Sequence, residues 1–151
     1  MSWVSNQIFA AGGTAVPDTW KQFQAETGIT TVVHLNPGSP SVFQGPLPAR
    51  YLWLDIADEN GADNETRYLA AKFVLEAVYA GDSILLHATP GRHRTRWIFV
   101  AYLILSGRKT LTAVRLAEQL PWLAPYHTDL QRWELFAEWI HHSEPGGLDA
   151  I

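Results

Sequence analysis

The 151-residue chain contains no cysteine. That absence excludes a disulfide framework, a Cys-ligated zinc or iron–sulfur centre, and any thiol chemistry. Long apolar runs are also missing. The longest, residues 97–105, is far short of the roughly 18–20 residues that span a bilayer, so it reads as a buried helix. The opening MSWVSNQIFA has neither the basic region nor the apolar stretch of a secretory leader, and a cytoplasmic setting is expected. Positive charge is scarce. Eleven Lys and Arg against 15 Asp and Glu give a net charge of -4, which argues against the broad basic surface of a non-specific nucleic-acid binder while permitting a local basic patch. What is abundant is core material: 47% of the residues are hydrophobic. A chain of this size buries about 68–70% of its unfolded surface without staples. Residues 1–142 are expected to form one domain and 143–151 a C-terminal tail.

Strands and helices alternate along the chain. Residues 7–10 read as a short strand, Pro17 and Asp18 introduce a helix over 19–27, and Gly28 closes it. The β-branched run 30–35 and the segment 51–56 read as strands, separated by a Pro-, Gly- and Ser-rich loop at 36–49. Asn64 is expected to cap a helix over 65–80, with Leu69, Phe73 and Ala77 facing the core. Residues 83–87 form a strand apolar on both faces, followed by a polar loop and a helix over 95–105. Thr110 and Thr128 are expected to cap helices near 111–120 and 129–141, the second burying Trp133, Phe136 and Ile140. This alternation, ending in a helical third, predicts an α/β sandwich on a mainly parallel sheet.

The chemistry concentrates in His87-Ala88-Thr89-Pro90-Gly91-Arg92-His93-Arg94-Thr95, between a buried strand and the start of a buried helix. In such a turn consecutive N–H groups converge on one anion, the helix dipole adds positive potential, and glycine allows the tight curl. The spacing is not that of a Walker-type nucleotide loop. Arg94 can offer a bidentate fork to two phosphate oxygens, which a lysine could not.

In that context the sequence resembles the cysteine-dependent phosphatases, the compact dual-specificity and tyrosine phosphatase group, whose signature is His-Cys-x-x-Gly-x-x-Arg-Ser/Thr. His87, Gly91, Arg94 and Thr95 stand at its fixed positions, and Ala88 stands where the family has its nucleophilic cysteine. The resemblance continues through IFAAGGTAVPDTWKQFQAETGITTVVHL, similar to the family's opening strand–helix–strand, and YLWLDIADENGAD, similar to its general-acid loop. It implies a phosphatase-like three-layer sandwich with four or five mostly parallel strands flanked by helices. It further implies hydrolysis of a phosphomonoester, on a protein or a small molecule, through a phosphocysteine formed at position 88. Asp58 would be the general acid, and Thr89, Pro90, Gly91, Arg92, His93 and Arg94 would cradle the phosphate. Thr95 would support the sulfur and His87 the loop. No cofactor or metal is implied.

With a methyl group at Ala88 the chain is expected to bind a phosphate-type anion and not turn it over, because phosphate monoester hydrolysis is among the slowest uncatalysed reactions. Two readings of Ala88 remain open. The parent protein has cysteine there and it was replaced to trap ligands, or the chain is a natural pseudophosphatase serving as a binding or scaffold module. The surviving His87, Arg94, Thr95 and acid-loop aspartate favour the first. Asp55 and Asp63 are the alternatives to Asp58 as acid. Thr95 could equally be a plain helix cap, and His34 and His87 structural histidines. The paired His141 and His142 lack a partner at metal-ligand spacing.

Overall fold

The computed structural model describes residues 2–119 and 125–143. Its sheet has five strands in the order β1-β2-β5-β3-β4: β1 (Ser2–Trp3), β2 (Ile8–Gly12), β3 (Thr31–Leu35), β4 (Arg50–Leu54) and β5 (Ile84–Ala88). Four strands run parallel, and β1 adds an antiparallel edge to β2. β5 lies between β2 and β3, which is why residues 84–88 are buried throughout. A central parallel strand has helices over both faces, so both of its side-chain rows must be apolar.

Alternation along the strands sorts the core into two layers. Ile8, Val33, Ile84 and Leu86 face one cluster with Trp97, Phe99, Trp133 and Phe136. Phe9, Val32 and Leu85 face the other with Val16, Trp20, Phe23 and Phe43. The first layer is roofed by α3 (Asn64–Tyr79), α4 (Arg96–Leu105), α5 (Thr110–Glu118) and α6 (Leu130–Ser143), the second by α1 (Ala15–Asp18) and α2 (Trp20–Thr27). The architecture is the expected three-layer α/β sandwich with a mostly parallel sheet. No described helix is long and apolar enough to cross a membrane.

Several local expectations are corrected. Leu69 is 50% exposed; the buried face of α3 is instead carried by Tyr68, Ala70, Ala71, Val74 and Ala77. Small side chains let α3 lie close to α4, which displaces the bulkier leucine to the rim. The cap of α3 is Asp63, whose carboxylate accepts from Thr66 N–H at 2.8 Å, so Asn64 is already the first helical residue. Lys109, in extended backbone, precedes α5, and Thr110 lies inside it. Ahead of α6 it is Asp129 that accepts from the Gln131 and Arg132 N–H groups. The tail beyond 143 lies outside the described residues.

Candidate functional site

The loop between β5 and α4 leaves the sheet at the C-terminal ends of three parallel strands, where open α/β sheets place their ligands. Gly91 adopts φ +151°, ψ 154°, a region open essentially to glycine alone. The backbone then closes a 3-10 turn over Arg92–Thr95 that runs into α4. The loop is braced from within and from β2: Gly91 N–H donates to the Ala88 carbonyl (3.1 Å), Arg94 N–H to the Gly91 carbonyl (3.2 Å), and Gly13 N–H to the Thr89 carbonyl (3.1 Å). Thr89 N–H reaches the Leu35 carbonyl of β3 at 3.4 Å. Of the donors expected to face an anion, those of Thr89, Gly91 and Arg94 are therefore engaged within the protein, and Pro90 has none. The N–H groups of Arg92 and His93 open the 3-10 turn at the head of α4.

Gly12 was not singled out by sequence, yet the loop rests on it. A Cβ built there would lie 2.5 Å from both Arg92 N and Gly91 Cα. The double glycine after the first strand was the available signal.

Around the loop, Arg94 is half-exposed, and its guanidinium lies 3.4 Å from the Asp58 carboxylate. Asp58 also accepts from Asn60 N–H and so caps the short turn Glu59–Gly61. The alternative acids lie elsewhere. Asp55 accepts from Gly38 N–H at 2.6 Å, and Asp63 is the α3 cap. The backbone N–H and hydroxyl of Thr66 hold the Asp63 carboxyl below its usual range. Thr95 is buried and donates to the Arg92 carbonyl at 2.7 Å, with no side-chain capping bond. Ala88 is fully buried at the end of β5. His87 lies under the loop, its Nδ1 3.0 Å from His34 Nδ1.

A cavity of about 270 Å³ opens beside Arg94, lined among others by Asp58, Glu59, His93, Arg96, Trp97 and Tyr126. Arg96 is buried, donates to His93 Nδ1 (3.2 Å) and lies over the Tyr126 ring. Burial, then the neighbouring Arg96 and Arg92, lower the proton affinity of His93. The Glu59 carboxylate takes hydrogen bonds from the hydroxyls of Tyr126 (2.6 Å) and Thr128, and Thr128 in turn accepts from Trp133 Nε1 (2.7 Å). Burial and the Glu59 charge hold the Tyr126 phenol well above its ordinary range. This brace between the acid loop and the approach to α6 was invisible in sequence, because it joins residues almost 70 positions apart. Among the described residues no cluster of His, Asp and Glu could hold a metal ion.

No family model and no curated protein matches the chain. Solved structures do. Human DUSP28 superposes with a TM-score of 0.74 at 19% identity, covering 93% of this chain and 98% of that one. The human tyrosine phosphatase-like serine/threonine/tyrosine-interacting protein gives 0.72 at 20% identity, covering 93% and 97%. A mouse putative dual specificity phosphatase complexed with zinc tungstate gives 0.72 at 18% identity, covering 95% and 89%. The chain has the fold of the dual-specificity phosphatases.

Proposed function

We propose that the chain binds a phosphomonoester, carried by a protein or a small molecule, in the 88–94 loop and leaves its P–O bond intact. The observation that carries this reading is the loop's position: a glycine-curled turn at the head of α4, with the Arg92 and His93 N–H groups opening its 3-10 turn and the Arg94 fork alongside. A tetrahedral dianion there would take the two N–H groups and the dipole of α4, and draw Arg94 away from Asp58. Hydrolysis needs an atom at position 88 that can attack phosphorus, and a methyl group has no lone pair. With cysteine there, the same loop would support a phosphatase, the thiolate attacking and Asp58 protonating the departing oxygen. The chain as it stands is read as the binding form of that machine.

Calorimetric titration with sulfate, a phosphate surrogate, tests the reading. One site is expected, weakened by roughly 10- to 100-fold in Arg94→Ala, the range for losing charged hydrogen bonds of about 1.5–3 kcal/mol. Equal affinity in the two proteins would discard it. Asp58→Asn should act oppositely. It frees Arg94 and removes a carboxylate from beside the anion, and since half-exposed ion pairs contribute about 0.2–1 kcal/mol, sulfate should bind roughly two- to fivefold more tightly. Weaker binding would show that Asp58 supports the site rather than competing for Arg94.

A further inference from the structure

The 36–49 loop joins β3 to β4 without regular structure, yet it is pinned along its length. Gly38 N–H is held by Asp55, Gln44 N–H by the Pro17 carbonyl (2.8 Å), and the Pro46 carbonyl by Trp20 Nε1 (2.7 Å). Phe43 is buried, edge-on to His34, His87 and Trp20. Between these anchors Ser41 meets the candidate ligand site: its hydroxyl lies 3.4 Å from that of Thr89, and its N–H donates to His34 Nε2 at 3.2 Å.

We propose that His34 is a positioning residue. With His87 it forms a hydrogen-bonded latch of one fixed proton order that holds Ser41, and the loop carrying it, against the wall of the anion cradle. Only the meaning of that wall rests on the binding reading above; the latch itself does not.

A neutral imidazole has one N–H and one bare nitrogen. Because Ser41 donates to Nε2 of His34, that nitrogen is bare and the proton sits on Nδ1. It must then donate across 3.0 Å to His87 Nδ1. The remaining proton lies on His87 Nε2, which is buried without a hydrogen-bond partner. The reverse order would set two N–H groups against each other at Ser41. For the same reason the latch admits no extra proton: one on His34 Nε2 would face the Ser41 N–H, and one on His87 Nδ1 would face the proton of His34.

The surroundings agree. His34 and His87 are fully buried, and burial lowers each ring to about 4 from 6.5, the charge of His34 adding to the effect at His87. Phe43 and Ser41 face the pair from the loop, and Tyr51 from β4, where burial pushes its phenol up to about 12 and keeps it neutral. Just after β2, the Gly13 backbone raises the proton affinity of His87, and no carboxylate or guanidinium contributes to either ring's proton affinity. With native values below the free one, the unfolded chain binds the extra protons as pH falls from 6.5 towards 4. The latch is complete above that window and lost through it.

Hydrogen exchange of the Ser41 amide in the full chain tests this, with sulfate titrated into the same samples because its charge is constant across the range. Protection is expected at neutral pH and a drop of at least tenfold as pH falls through about 4. His34→Phe should abolish both the protection and the step. His34→Gln should restore the neutral-pH protection, its amide oxygen accepting from Ser41 and its NH₂ donating to His87. Nitrogen NMR of the unsubstituted protein gives a readout independent of any variant: protons on Nδ1 of His34 and Nε2 of His87 are required, and the opposite tautomers overturn the proposal. Arg94-dependent sulfate binding with an unresponsive Ser41 overturns the latch alone. A Ser41 step without sulfate binding supports the latch and overturns the cradle.

Discussion

Replacing Ala88 with cysteine is expected to make the chain a catalyst, hydrolysing an aryl phosphate near pH 6 on the order of 10³-fold or more above the unsubstituted chain. Deleting a nucleophile from a working site costs on the order of 10⁶ in rate elsewhere. Position 88 closes a fully buried strand ahead of α4, and a helix N-terminus with nearby cations lowers a thiol's pKa to about 3.5–7.5. The thiolate would attack phosphorus, the P–O bond to the leaving group would break, and Asp58 would protonate the departing oxygen. Thr95 sets a restraint. Its hydroxyl proton is already given to the Arg92 carbonyl, so it must rotate before it can serve the sulfur. Release of nitrophenolate is the readout. A folded Ala88→Cys protein with no turnover would refute the idea that an enzyme lies one substitution away and leave the pseudophosphatase reading.

Gly12→Ala should be the most damaging single methyl group in the molecule. Its Cβ would stand 2.5 Å from Arg92 N and Gly91 Cα and 2.6 Å from Gly91 C, all backbone atoms. A flexible side chain could swing away; a backbone braced by hydrogen bonds from Gly91 and Gly13 cannot do so cheaply. Overpacking of this kind typically costs about 1–3 kcal/mol, which lowers the melting temperature by roughly 2–10 °C in a chain of this size. The loop must shift where Arg92 N–H is offered, so sulfate affinity should fall at least tenfold. Gly13 separates contact from conformation: at φ +78° a Cβ there would meet nothing within 4 Å. Asparagine, which tolerates that conformation, should be accepted at 13. Unchanged sulfate affinity in Gly12→Ala would show that the loop is not held by this approach.

The parts legible in sequence were those written locally. The 87–95 loop announced itself through a buried strand, a glycine and an arginine in consecutive order, and the alternation of strands and helices fixed a parallel sheet. Asp58 could be placed near the loop only through the resemblance. Its pairing with Arg94 joins residues 36 positions apart, while Asp55 holds Gly38 and Asp63 caps α3. Gly12 against Gly91, Tyr126 against Glu59, and Ser41 against His34 are products of strand order and layer packing, which no local pattern encodes. Leu69 failed for a related reason: hydrophobicity ranks leucine above alanine, but close approach of two helices selects the smaller side chain.

The fully buried methyl of Ala88 also decides how this pocket meets its chemical surroundings. A catalytic thiolate in such a position climbs the ladder from sulfenic to sulfonic acid when peroxide reaches it, and the site is then silenced. Here there is no sulfur to oxidise, and the loop keeps its shape through Gly13, Gly91 and Thr95, none of which responds to redox potential. If the loop binds its anion as proposed, that binding should survive oxidative stress that silences thiol-bearing phosphatases.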